Sequence, residues 1–218
     1  MVHDALIGPV STPDLHVMTD NICRRFPYHR PWGVDHPAAR SSLVRRLLTA
    51  EQPTLLGVQE ALADQVDFVA DALGPDYLWV GDGRNSSGED ERCAIFYDTR
   101  RLELTDWKQW ALSATPHEPG SRSWGNLARR VVVTADFTDL ATRARLRAVN
   151  THFDHLSRRS RIQSAKFVIH LVHAARAAEP DAAIVVTGDF NAGVDSAAYR
   201  WLTAEGALRD AWNVPPSA

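Results

Sequence analysis

The stretch Ala183-Ile184-Val185-Val186-Thr187-Gly188-Asp189-Phe190-Asn191-Ala192-Gly193 decides the fold. Its four small or β-branched apolar residues read as a strand buried in a sheet. The Gly-Asp-x-Asn that follows puts a carboxylate and a carboxamide at the carboxyl end of that strand. On an extended backbone Asp189 and Asn191 project to one side, where the acid can bind a cation and the amide can orient a phosphate oxygen. The same letters also suit an Asx-type turn, because Asp, Asn and Gly bend the chain for local reasons. Other stretches must supply the context that chooses between the two.

Upstream, strand patterns alternate with helical ones. Residues 1–14, with Pro9 and Pro13, have no clear period and read as an irregular arm. Leu15 to Ile22 alternates apolar and polar like a half-buried strand, with Asn21 near its end. Leu43, Val44, Leu47 and Leu48 recur at helical spacing between Pro37 and Gln52, and Thr54 to Val58 then reads as a buried strand ending in Gln59-Glu60. A glutamate at such a strand end sits where α/β folds gather ligands, and its hard oxygen suits Mg²⁺. It would equally suit the first turn of the next helix, which shows Leu62, Val66, Val69 and Leu73 on one face and stops at Gly74-Pro75.

Tyr77 to Val80 reads as a short strand, and 81–91 as a loop long enough to meet a substrate. Arg92 to Tyr97 and Leu102 to Thr105 read as strands paired across Asp98 to Arg101. After a second loop at 114–126, Val131 to Phe137 and Leu146 to Val149 form a hairpin that runs into Asn150-Thr151-His152-Phe153-Asp154-His155. Two histidines and an aspartate at a strand end point to proton exchange, with a carboxylate fixing an imidazole tautomer. His152 and Asp154 should share a face of the strand, and His155 should turn away. A helix over Arg158 to Ala178 follows, with Ile162, Ala165, Ile169 and Val172 inward, and a short one from Ser196 to Leu202 closes the pattern.

A chain of 218 residues, 44% hydrophobic and 23% charged, fits one α/β domain with a sizeable core, so residues 1–218 read as a single domain. No apolar run approaches the roughly 20 residues of a membrane span, and the first 20 residues show no secretory pattern, which points to a cytoplasmic protein or to a mature form; a monomer is expected. Cys23 and Cys93 are too few for a disulfide framework and lack metal spacing. A net charge of -3 gives no general attraction to nucleic acid and does not exclude local basic surface.

Asn21, Gln59-Glu60, Asn150-Thr151-His152 and Gly188-Asp189-Phe190-Asn191-Ala192, in this order, resemble the endonuclease/exonuclease/phosphatase superfamily with the deoxyribonuclease I-like fold. The segments Gly88 to Tyr97, Ser123-Trp124-Gly125 and Asp154-His155 look like an uncharacterised bacterial branch. The resemblance implies an α/β (α+β) protein: a two-sheet β-sandwich flanked by helices on both outer faces, with the site at one end. It also implies hydrolysis of a phosphoester with Mg²⁺ or Mn²⁺, by in-line attack of an activated water. Glu60 would be the main metal ligand, with Asn21 and Asp189 beside it. Asp189 and Asn191 would hold the water and the phosphate, and His152, assisted by Asp154, would hydrogen-bond the phosphate or protonate the leaving oxygen. The substrate would be nucleic acid, a phospholipid or a small phosphate.

The superfamily usually closes on a strand ending in Ser-Asp-His, and no such motif follows Asn191 here. The Asp-His pairs are Asp35-His36 and Asp154-His155. The expectation is a C-terminally truncated piece of a longer hydrolase; the alternative is an incomplete member that binds or scaffolds.

Overall fold

The apolar runs become strands because they are rich in β-branched and aromatic residues and are bounded by turn formers. The computed structural model describes residues 5–25 and 37–213, so Asp35-His36 lies outside the described residues. Strands β1 (Val17–Asn21), β2 (Leu55–Gln59), β3 (Tyr77–Val80) and β4 (Ile95–Asp98) form one sheet in the order β1-β2-β4-β3. Strands β5 (Leu102–Ala111), β6 (Val131–Asp139), β7 (Arg145–His152) and β8 (Ala183–Asp189) form the second, in the order β5-β6-β7-β8. β1 and β2 are parallel, as are β7 and β8, and the other neighbours are antiparallel.

Alternation along each strand splits the core into layers. Leu56, Val58 and Phe96 face helices α1 (Pro37–Glu51) and α2 (Ala63–Leu73), whose Leu48, Val66 and Val69 cover that side. Leu55, Ile95 and Tyr97 point the other way and meet Val133, Ala135, Phe137 and Ala148 between the sheets. Val132 and Val149 face α3 (Arg158–Ala178) and α4 (Ala197–Thr203) through Ala165, Val168, Val172 and Leu202. The result is a two-sheet sandwich with helices on both outer faces. Among the described residues no helix is long and apolar enough to cross a membrane.

Three sequence expectations are corrected. β4 and β5 do not pair across Asp98 to Arg101. β4 is flanked by β2 and β3, while β5 joins β6, so this turn carries the chain from one sheet to the other. The reason lies in β4 itself: Ile95 and Phe96 are fully buried on opposite faces, as befits a central strand with both edges taken. Leu43 of α1, expected inward, is 58% exposed. The inward stripe of α3 is rotated so that Val168 is fully buried and Ile162 only half-buried.

A buried polar network joins the sheets. The Asn150 amide of β7 donates from Nδ2 to the Val58 and Ala94 carbonyls of the opposite sheet, both at 2.9 Å. Its Oδ1 accepts from Gln59 Nε2 at 2.7 Å and from Thr187 Oγ1 at 3.2 Å. Gln59 Nε2 also lies 3.1 Å from Thr19 Oγ1. Gly57 leaves room for this approach, because a Cβ there would collide with Thr187 Oγ1 and crowd Asn150 Oδ1. Asn150 is fully buried, so its loss strands several polar partners away from water. Asn150→Ala should therefore lower stability by about 3 kcal/mol in urea unfolding; a loss under about 1 kcal/mol would show that the network is not what joins the sheets.

Candidate active site

The network residues Thr19, Gln59, Asn150 and Thr187 lie one or two positions before Asn21, Glu60, His152 and Asp189. In an extended strand, side chains two apart share a face. Parallel pairing sets Asn21 opposite Gln59, and His152 opposite Asp189, so the carboxyl ends of β1, β2, β7 and β8 deliver their polar side chains to one end of the sandwich.

Asn21 stands between the two acids. Its Nδ2 donates to Glu60 Oε1 and to Asp189 Oδ2, each at 2.9 Å, while its Oδ1 accepts from the Cys23 amide at 3.0 Å. Glu60 follows the end of β2 with φ of 64°, a left-handed turn that aims it at the site. It is not a first-turn acid of α2, where Asp64 holds that place. Its Oε2 accepts the Arg24 amide at 3.0 Å. Burial works against its charge, but the bonds from Asn21 and Arg24, with His152 and Arg130 nearby, outweigh it and hold the carboxyl below its ordinary range.

His152 is 5% exposed, with Nε2 3.9 Å from Asp189 Oδ2 and Nδ1 3.0 Å from Arg130 Nη1. A guanidinium only donates, so Nδ1 is the acceptor and Nε2 carries the proton of the neutral ring. Burial, then the Arg130 charge, push its pKa down to about 4 against the opposing pull of Asp189 and Glu60. His155 does not turn away: its exposed ring reaches Arg130 Nη2 at 3.2 Å.

The remaining expected residues are used differently. Asp154 lies beyond the end of β7, fully buried, and its Oδ1 accepts the Leu156 and Ser157 amides at 3.0 and 2.7 Å, turning the chain into α3. It does not share a strand face with His152. Asn191 has left the extended conformation, with φ of 47°. Its amide N–H donates to Asp189 Oδ1 at 2.9 Å in an Asx turn, and its Nδ2 donates to the Phe153 carbonyl at 3.0 Å. Both readings of Gly-Asp-x-Asn are thus realised, since Asp189 makes the turn with one oxygen and meets Asn21 with the other.

An arginine wall was missed in the sequence. A small cavity has Glu60 and His152 in its lining together with Arg84, Arg92, Arg129, Arg130 and Glu91. Glu91, 7% exposed, accepts from Arg24 at 2.7 Å and from Arg84 at 2.5 Å. The arginines are scattered through two loops and a strand start, so no local pattern marked them; the Arg129-Arg130 doublet ahead of β6 was the one available signal.

The model of the endonuclease/exonuclease/phosphatase family matches residues 32–217. The chain belongs to this family. Members of the superfamily hydrolyse phosphoester bonds and generally use divalent metals. A family protein from Bacteroides vulgatus has a similar structure, with a TM-score of 0.77 and 29% identity over 88% of this chain and 71% of its own. A mannosyl-6-phosphatase from Bacteroides thetaiotaomicron has a TM-score of 0.76 and 25% identity over the same shares. The human nocturnin catalytic domain shares the fold, with a TM-score of 0.66 and 17% identity over 88% of this chain and 70% of its own. No curated protein matches in sequence.

In the metal-free family member, ring-proton NMR should find His152 neutral down to about pH 4. Arg130→Ala should raise that pKa, because the larger of the two guanidinium charges that oppose protonation is removed while Asp189 and Glu60 still favour it; an unchanged titration would show that the guanidinium does not act on the ring.

Proposed function

We propose that this chain is a divalent-metal-dependent phosphoester hydrolase whose centre is the Asn21, Glu60, His152 and Asp189 cluster. The observation that carries the reading is the single Asn21 amide nitrogen 2.9 Å from two carboxylates of different sheets. Among the described residues no group of three or more His, Cys, Asp or Glu side chains gathers as a metal cluster. Two hard carboxylates beside a neutral amide nevertheless fit Mg²⁺ or Mn²⁺, because Mg²⁺ binds through one or two carboxylates and keeps several waters. Glu60 and Asp189 would hold the ion, and Asn21 would position both. When bound, such an ion offsets the charge that develops on the phosphate.

The protein residues divide the other work. His152 donates its Nε2 proton to a phosphate oxygen, a role that its Arg130-fixed tautomer favours over protonating the leaving oxygen. Asp189 orients the attacking water, and Asn191 holds the ends of β7 and β8 together through Phe153, so that water and phosphate meet in line. Asp154 supports the site by forming the turn that follows β7.

Glu60→Gln and Asp189→Asn should each lower metal-dependent hydrolysis of a generic aryl phosphate by about a hundredfold or more, with circular dichroism unchanged. EDTA should remove activity and excess Mg²⁺ or Mn²⁺ restore it. Turnover that survives both substitutions would reject the assignment, and no turnover with any divalent metal would favour a binding or scaffold role.

A further inference from the structure

The chain that leaves β1 lines a larger cavity on the helix side of the first sheet. Its volume is about 210 Å³, more than the roughly 150 Å³ in which a dry protein cavity holds benzene. Ile22 after β1, Val44 of α1 and Phe68 of α2 give it an apolar lining. A space of this size and chemistry takes a ring or a short hydrocarbon chain out of water.

Three arginines share the lining, and two of them are already matched. Arg24 meets Glu91 at 2.7 Å, and Arg25 meets Asp64, the one acid in the lining among the described residues, at 2.5 Å. Arg40 is held differently. Its Nε donates to the Ile22 carbonyl at 3.0 Å and its Nη2 to the Asn21 carbonyl at 2.9 Å, and among the described residues it forms no ion pair. Asp20 feels its charge from beyond pairing distance, and burial pushes that carboxyl up. The two carbonyls fix one edge of the guanidinium and leave Nη1, with the second hydrogen of Nη2, as a fork that matches a carboxylate. One immobilised cation beside an apolar lining selects a ligand with one anionic group and an apolar body.

The lining is also the segment that aims the candidate site. The Cys23 amide donates to Asn21 Oδ1 and the Arg24 amide to Glu60 Oε2, each at 3.0 Å. Gln65 of α2 grips the same segment, its Nε2 donating to the Cys23 carbonyl at 3.0 Å and its Oε1 accepting the Arg25 amide at 3.2 Å. Cys23 sits in the left-handed region, with φ of 58°, a conformation that needs such support. A ligand packed against residues 22–25 therefore braces the backbone whose amides hold Asn21 and Glu60.

We infer that the cavity between α1, α2 and the exit of β1 binds a small amphipathic monocarboxylate, with its apolar body against Ile22, Val44 and Phe68 and its carboxylate on Arg40. The site shares no lining residue with the cavity of Glu60 and His152, and binding there needs neither a metal nor turnover.

Calorimetry on the metal-free protein uses 3-phenylpropionate as the probe, with 3-phenylpropan-1-ol as its uncharged counterpart and acetate as the anion without an apolar body. The probe should bind with a dissociation constant of about 1 mM or tighter, and each control at least about tenfold more weakly. Arg40→Met should weaken the probe about tenfold or more and leave the alcohol unchanged. Ser41→Trp, at an exposed position of α1 in the lining, fills the cavity and should weaken both. Thermal melts check that the variants fold. With the probe bound, hydrogen exchange at the Cys23 and Arg24 amides should slow about threefold or more. No binding up to about 10 mM, equal binding of acid and alcohol, displacement of the probe by inorganic phosphate, binding that survives Ser41→Trp, or unchanged exchange at those amides would each overturn the inference. If Arg40→Met does not fold, the acid and alcohol on the wild type still decide the charge, and Ser41→Trp decides the place.

Discussion

The structure depends on one fully buried carboxamide. Asn150 reaches from the second sheet to the Val58 and Ala94 carbonyls of the first, and takes hydrogen bonds from Gln59 and Thr187. Each bond would be modest on a surface, but inside the sandwich the alternative is a polar group with neither water nor partner. The amide therefore sets how the two sheets meet, and Gly57 is the residue whose missing side chain lets it fit. The four strands that carry Thr19, Gln59, Asn150 and Thr187 each continue within two residues to a polar side chain of the candidate site. Hydrophobic layers hold the sheets together without direction, and the network supplies the direction.

Beyond that frame the site is organised by charge. Glu60 and Asp189 form an acidic side, joined by Asn21; the arginines form a basic side, held by Glu91, Asp90 and backbone carbonyls. His152 stands between them, its Nε2 toward Asp189 and its Nδ1 toward Arg130. A neutral imidazole suits this position, because burial and the neighbouring guanidinium both disfavour a second positive charge. A cation on one side and a phosphate between the sides would complete the balance. The family to which the chain belongs gives that arrangement its chemical context.

Much of the fold was legible in local patterns. The strand and helix order and the hairpin of β6 and β7 follow from apolar periodicity, while the sandwich with outer helices was implied by the family resemblance that the four motifs carry. The β4–β5 hairpin failed because a short polar connection between two strands usually means pairing. Here Ile95 and Phe96 are both fully buried, which makes β4 central and sends β5 to the other sheet. Asp154 was misread for a related reason: a carboxylate near a histidine suggests a partnership, yet the strand ends at His152 and the acid forms the next turn.

The sequence by itself determined which residues end the strands, because periodicity and turn chemistry are local properties of a few neighbouring residues. Only the tertiary structure decided what those residues meet. Asn21 lies 168 positions from Asp189, and Arg130 lies 22 from the histidine it orients, so neither contact leaves a trace in local spacing. The same holds for the arginines, whose members come from separate loops and meet at one cavity only through the packing of the sheets.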